Sequence, residues 1–243
     1  MATFPPERRY TINQITVIPR RFTNDFDMLS SPREEIIAKH FALKENETFV
    51  DVGANVGKYA LTIARDYNSK SVRIIAIEAQ PENYKALCRN VQLNKDFRND
   101  LIMPIHKAVS DHKGKVAMYE YLEYGYRTRY ETFTIINEVK GASQYNRTAP
   151  AIEVECDTLD NILIGLTKKV DVMKIDIEGA EVMALKGATN TLKQLRKIIV
   201  EVHNYNFEDV RQILEMHNFD LEIIKENWGQ KGEIHGYIIG QKN

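Results

Sequence analysis

The stretch that decides the fold is Asp51-Val52-Gly53-Ala54-Asn55-Val56-Gly57. The apolar run of residues 48–50 leads into it, and apolar residues follow it at helical spacing over residues 59–64. This order predicts a buried strand, a tight turn and a helix. Glycines in such a turn adopt backbone conformations that strain other residues, and they let a ligand approach the backbone closely.

The turn also indicates the kind of ligand. A helix start offers free N–H groups to a carboxylate, and an acidic residue just before the turn suits an ammonium group. A cofactor that carries both groups, such as the methionine end of S-adenosylmethionine (SAM), fits a site formed by Asp51, Gly53, Asn55 and Gly57. A dinucleotide pyrophosphate fits less well, because Asp51 would repel it and the spacing departs from GxGxxG. Without a ligand, the same residues would form a tight turn in which Asp51 caps the helix.

Two further stretches extend this candidate site. Glu78 ends the apolar run of residues 72–77, where a carboxylate can accept hydrogen bonds from both hydroxyls of an adenosine ribose. The alternative for Glu78 is a solvated charge in a loop. Ala108, in Lys107-Ala108-Val109 after the next strand, is a candidate to flank the adenine ring.

Strands and helices alternate along most of the chain. Apolar runs near residues 48–52, 72–77, 101–105, 170–175 and 198–202 are separated by helical patterns. Solid apolar runs in this order predict an α/β fold with a parallel sheet and helices on both faces. The last two strands, near residues 219–225 and 235–240, suit a terminal hairpin that adds an antiparallel strand.

The chain divides into an N-terminal arm and helix over residues 1–45 and one domain over residues 46–243. The first 30 residues are expected to form an irregular arm, with Ser30 or Ser31 capping the helix that follows. Residues 115–150 interrupt the alternation and form a substrate-side insertion. The tyrosines of this insertion either line a lid or pack on the sheet.

Residues 49–57 and Ile77-Glu78-Ala79-Gln80-Pro81 resemble the FkbM-type family of SAM-dependent methyltransferases. Further stretches resemble that family in the same order: Ala108-Val109-Ser110-Asp111, Gly141-Ala142-Ser143, Thr158-Leu159-Asp160, Val172-Met173-Lys174-Ile175-Asp176-Ile177-Glu178-Gly179-Ala180-Glu181, Leu185-Lys186-Gly187-Ala188 and Ile199-Val200-Glu201-Val202-His203. The resemblance implies a seven-stranded Rossmann-like fold and SAM as methyl donor. It also implies methylation of a hydroxyl on a sugar, glycolipid, polyketide or other small molecule.

Methyl transfer to a hydroxyl requires alignment of the acceptor oxygen and removal of its proton. The candidate catalytic residues Asp176, Glu178 and His203 all follow strand ends, and Asp176 is also a candidate to contact the cofactor ammonium. Glu181 either joins them or only braces the following helix. Lys174 lies in an apolar strand, and a buried lysine needs an anionic partner, so it is expected to brace one of these acidic residues.

Composition limits the partners. The 33 basic and 34 acidic side chains of the 243 residues leave a net charge of −1, which gives no support for nucleic acid as a partner. No transmembrane span or signal peptide is expected, and the two isolated cysteines, Cys88 and Cys156, suggest a cytoplasmic location. The sequence does not distinguish a monomer from a homo-oligomer.

The sequence leaves alternatives for the metal content of the site and for the function of the protein. Asp176, Glu178 and His203 offer ligands for a divalent ion, but no dedicated spacing such as HExxH supports one, so a metal-free site is expected. The rival functions are a nonenzymatic SAM-binding or scaffold protein and an NAD(P)-dependent oxidoreductase that uses Glu78 for the ribose.

Overall fold

A computed structural model describes residues 8–21, 23, 25–30, 37, 39–94, 96, 101–120, 133–134, 152–202, 206–226 and 235–242. The described strands are β1 (Tyr10–Ile12), β2 (Ile15–Val17), β3 (Thr48–Val52), β4 (Arg73–Glu78), β5 (Ile102–His106), β6 (Ala108–Val109), β7 (Gly114–Glu120), β8 (Phe133–Thr134), β9 (Ile152–Asp157), β10 (Val172–Ile175), β11 (Lys197–Val202), β12 (Asp220–Glu226) and β13 (His235–Gln241). The described α-helices are α1 (Asp25–Ser30), α2 (Lys58–Asp66), α3 (Pro81–Leu93), α4 (Leu159–Leu163), α5 (Glu181–Lys186), α6 (Thr189–Gln194) and α7 (Phe207–Met216), and a 3-10 helix covers Lys39–Phe41.

The central sheet has seven strands in the order β12-β13-β11-β10-β3-β4-β5. The five strands from β11 to β5 pair in parallel, whereas β13 pairs antiparallel with both β11 and β12. This is the Rossmann-like arrangement with a C-terminal antiparallel hairpin that the sequence predicts. Because β3 lies next to β10 at the centre, the loops after these two strands meet at one edge of the sheet.

Apolar residues cover both faces of the sheet. Successive residues of β3 point to opposite sides: Phe49 packs in a cluster with α2 and α3, and Val50 packs in a cluster with α4, α5, α6 and α7. Every residue of β3 and of β10 is buried. The continuous apolar runs therefore correspond to strands enclosed by helices on both sides, as predicted.

A second sheet, in the order β6-β9-β7-β8, lies outside the predicted core. The sequence predicts β7 as the start of the insertion, and the structure pairs it antiparallel with β9. Ala108 and Val109 in β6 pair in parallel with Cys156 and Asp157 of β9, which anchors this sheet beside the central one. Most of the insertion, including Gly141-Ala142-Ser143 and the tyrosines after residue 120, lies outside the described residues.

The N-terminal segment differs from the irregular arm expected for residues 1–30. Residues 10–17 form a hairpin, in which Asn13 and Gln14 both have positive φ (47° and 67°) at the two-residue turn. Ser30 is the last residue of α1; the helix expected to begin after Ser30 or Ser31 falls on residues 31–36, outside the described part, and stays a prediction. The side-chain amide of Asn94 both accepts from and donates to the backbone of Thr16, which docks the hairpin on α3.

Within the described ranges, no helix is both long enough and apolar enough to cross a membrane.

Candidate active site

The glycine turn forms the floor of a cleft at the carboxyl edge of the sheet. Gly53 has φ +79°, and a Cβ at this position would overlap the backbone carbonyl oxygen of Asp176. Gly57 has φ +96°, and a Cβ there would come within 2.8 Å of Cδ1 of Leu87. Gly53 is therefore required by conformation and by space, whereas at Gly57 the backbone conformation is the stronger requirement. The N–H groups of Gly53 and Ala54 donate to the carbonyl oxygen of Ile77, which joins the turn to the end of β4.

Asp51 lies behind this turn, where it is fully buried. Oδ1 of Asp51 is 3.8 Å from Nζ of Lys174, and the same Nζ donates to Oδ2 of Asp176 at 3.0 Å. The Lys174 side chain is only 2% exposed, and Nζ also lies 4.6 Å from the centroid of the Tyr59 ring. The expectation that Lys174 braces an acidic residue is confirmed, with two carboxylates in place of one.

Glu78 occupies the end of β4 and is almost completely buried. Its Oε2 accepts from the N–H of Asn55 at 2.7 Å, and its Oε1 accepts from the N–H of Gln80 at 2.8 Å. Burial raises the pKa of Glu78 to about 7, although these two hydrogen bonds oppose the shift. The carboxylate is thus fixed between the glycine turn and the start of α3, with lone pairs left for a ligand.

The loop after β10 supplies the acidic candidates. The Asp176 side chain is about a quarter exposed, and both Asp176 and Glu178 line the cleft. Glu178 has φ +55° and Gly179 has φ +98°, so the loop makes a tight left-handed turn before α5. This geometry presents both carboxylates at the cleft.

Glu181 takes the bracing role that the sequence leaves open. It is fully buried, its Oε1 accepts from the N–H of Gly179 at 2.8 Å, and its Oε2 accepts from Nδ2 of Asn206 at 3.1 Å. These bonds hold the loop that carries Asp176 and Glu178.

The cleft opens to solvent between the glycine turn, the end of β4 and the loop after β10. Its walls include Gly53, Asn55, Glu78, Ala108, Asp176 and Glu178, so six of the predicted site residues meet in one place, whereas Asp51 and Gly57 are not among the residues that line it. His203 lies outside the described residues. No group of three or more His, Cys, Asp or Glu side chains that could hold a metal ion occurs in the described part of the chain, which leaves the set with His203 untested.

The N-terminal segment also contributes to this cleft, which no sequence pattern indicated. Met28 of α1 lines the cleft together with Asn83 of α3, and the guanidinium of Arg20 donates to Oδ1 of Asn83 at 2.9 Å. An asparagine on an amphipathic helix carries no sequence signal for such a contact.

Three of the motifs that resemble the family also make structural contacts. Thr158 caps α4 by accepting from the N–H of Asn161, and Asp160 accepts from the backbone of α6 at Asn190 and Thr191. A Cβ at Gly187 would overlap the carbonyl oxygen of Ser110. These contacts join α4 to α6 and bring the turn after α5 against Ser110.

The chain matches the family described as "Methyltransferase FkbM domain" over residues 51–221, and it belongs to this family of methyltransferases. S-adenosylmethionine is therefore its cofactor, and family membership favours this interpretation over the dinucleotide one.

Individual relatives are more distant. The chain is 25% identical to a hexuronic acid methyltransferase, AglP, of Haloferax volcanii over 201 residues, which cover 82% of this chain and 72% of that protein. It is 26% identical to methyltransferase sdnD of Sordaria araneosa, over 76% of this chain and 78% of that protein. The crystal structure of methyltransferase FkbM from Methylobacillus flagellatus aligns with a TM-score of 0.55 at 16% identity over 83% of this chain. This chain spans 45% of the length of that structure.

The residues present fit SAM. A glycine cradle that a Cβ would fill lies at Gly53, and Oδ1 of Asn55 is buried in the cleft and accepts no hydrogen bond from the described residues. Such an oxygen requires a donor, and a ribose hydroxyl or an ammonium group is one. The carboxylates of Glu78 and Asp176 line the same cleft, and carboxylates accept hydrogen bonds from hydroxyl and ammonium groups.

Proposed function

We propose that this chain transfers a methyl group from SAM to a hydroxyl oxygen of a sugar-containing or other small-molecule acceptor. The observation that carries the proposal is Asp176, a carboxylate held by a buried lysine at the wall of the cofactor cleft. A fixed carboxylate at this position has the geometry of a general base or of an ammonium ligand.

SAM supplies a methyl group on a sulfonium, which is open to displacement by an oxygen in line with the departing sulfur. The protein's part is to orient the acceptor and to take its proton. Asp176 is our first candidate to accept that proton at a carboxylate oxygen, with Lys174 on its other side to stabilise the ionised form. His203 is the second candidate, and Glu178 is placed at the cleft to orient the acceptor.

Two considerations favour a carbohydrate acceptor. The similar protein of Haloferax volcanii is named for action on a hexuronic acid, which is a sugar acid rich in hydroxyls. A net charge of −1 gives no general attraction for a polyanionic backbone, so a nucleic acid is a less favoured acceptor. A nonenzymatic SAM-binding role has no specific support, because acidic side chains line the cleft as transfer would require.

The test is a screen with methyl-labelled SAM against free hexuronic acids, their glycosides, neutral sugars and polyketide alcohols. Methylated product is then treated with mild base, which hydrolyses a methyl ester but leaves a methyl ether intact. Base-stable product from a neutral sugar or a hexuronoside supports hydroxyl methylation. Base-labile product from hexuronic acids alone would replace the hydroxyl by the carboxylate as the acceptor.

A further inference from the structure

The N-terminal segment contributes to the cofactor cleft although it precedes the family domain. The family match begins at residue 51, yet Met28 of α1 lines the cleft. The hairpin before α1 packs through Ile15 and Val17 on Leu61 of α2. This segment is therefore docked on both the helix that follows the glycine turn and the cleft itself.

Arg20 is the polar anchor of this docking. Its Nε and Nη2 donate to the two carboxylate oxygens of Asp25 at 2.9 and 2.7 Å, and the Arg20 and Asp25 side chains are 12% and 3% exposed. A bidentate pair with so little exposure fixes the plane of the guanidinium. The same Nη2 donates to Oδ1 of Asn83 at 2.9 Å.

Asn83 connects Arg20 to Glu78, the carboxylate proposed to bind the ribose. Its backbone N–H donates to Oε1 of Gln80, which positions the start of α3. The backbone N–H of Gln80 in turn donates to Oε1 of Glu78 at 2.8 Å, and both Asn83 and Glu78 line the cleft.

We propose that Arg20 is a positioning residue for the cofactor, acting through Asn83 on Glu78, so that docking of the N-terminal segment and binding of SAM favour each other. The inference depends on the ribose role of Glu78 and not on the identity of the acceptor. Such coupling is reciprocal: if the docked segment raises the affinity for SAM, then SAM must stabilise the docked segment by the same factor.

The variant Arg20→Met retains the apolar stem and removes the hydrogen bonds. We expect its dissociation constants for SAM and for S-adenosylhomocysteine to rise together, by about tenfold, because the ribose is common to both. In turnover, the KM for SAM should rise while kcat is unchanged. Arg65→Met is the matched control. Nη1 of Arg65 also binds the N-terminal segment, but it does so at the carbonyl oxygen of Asn13 in the hairpin turn, away from Glu78. It should bind SAM as the wild type does.

Hydrogen exchange of the wild-type protein tests the reverse effect, the stabilisation of the docked segment by SAM, without any variant. Saturating SAM should slow amide exchange in α1 clearly more than in β12, the edge strand at the far side of the sheet. Equal slowing in both elements would overturn the inference, and so would an Arg20→Met protein that binds SAM within about twofold of the wild type. Should Arg20→Met fail to fold, Arg20→Lys serves in its place, because an ammonium cannot bind Asp25 and Asn83 in the same planar geometry. If the wild-type protein does not bind SAM, the cofactor assignment is wrong as well. If the wild type binds SAM and only the prediction for Arg20 fails, the cofactor assignment stands.

Discussion

Lys174 and Asp51 lie directly opposite each other on neighbouring parallel strands, and Nζ of Lys174 is 3.8 Å from Oδ1 of Asp51. Both side chains are buried, and the same ammonium donates to Asp176 at the cleft. One buried cation thus balances a carboxylate inside the fold and a carboxylate at the candidate site. The stability of the sheet centre and the charge presented to the ligand are therefore set by the same residue.

Replacement of Lys174 by Met should destabilise the protein by about 3–5 kcal/mol, because Asp51 would remain buried without its cation. Chemical denaturation measures this loss. The double variant Lys174→Met with Asp51→Asn should recover part of it, since the uncompensated charge is then removed as well. Equal stability of the single and double variants would show that the pair is not coupled.

Gly53→Ala should abolish SAM binding and destabilise the fold, because the added Cβ meets the carbonyl oxygen of Asp176. Gly165→Ala is a matched control: Gly165 has φ +77°, but a Cβ there meets nothing within 4 Å. The control should lose only about 1 kcal/mol from conformational strain and bind SAM normally. Thermal denaturation and SAM titration of both proteins distinguish strain from collision, and equal losses would contradict the packing argument.

Glu78 should make stability depend on pH. Its pKa is raised from 4.5 to about 7 in the folded state, so the folded protein binds more protons than the unfolded chain between these values. The stabilisation is complete below pH 4.5 and is lost as the pH rises through about 7. The free energy of unfolding of the wild type, relative to Glu78→Gln, should fall across this window by up to ~3 kcal/mol. Parallel pH profiles for the two proteins would contradict the assignment.

Asp176→Asn should lower kcat by about 10²–10⁴-fold, because an amide cannot take up the proton that the substrate hydroxyl loses. The KM for SAM should change little if the carboxylate acts on the acceptor. A raised KM for SAM with unchanged kcat would instead assign Asp176 to the cofactor ammonium. His203→Ala, assayed alongside, tests the second candidate base in the same way.

The central sheet was predictable because its strands are continuous apolar runs and the turn after β3 carries two glycines. The glycine turn, Glu78 and the loop after β10 meet at one cleft for the simple reason that parallel strands end at the same edge. The buried position of Lys174 followed from its place inside an apolar strand. These features depend on local sequence and on one topological rule.

Other features depend on contacts between distant residues. β9 alternates between apolar and polar residues, a pattern that favours a half-buried strand, but its pairing with β7 and β6 joins distant parts of the chain, and no local pattern indicates it. The turn of the N-terminal hairpin has Gln14 where glycine is the usual signal. The contact of Arg20 with Asn83 joins residues 63 positions apart, and no local pattern indicates it.

The cleft between β3, β4 and β10 is the SAM site of this protein if calorimetric titration of the wild type, with SAM and separately with NAD, shows binding of SAM alone. We expect micromolar binding of SAM, weakened by Glu78→Gln and abolished by Gly53→Ala, and no binding of NAD. Binding of NAD, or a folded wild-type protein that does not bind SAM, would contradict this assignment.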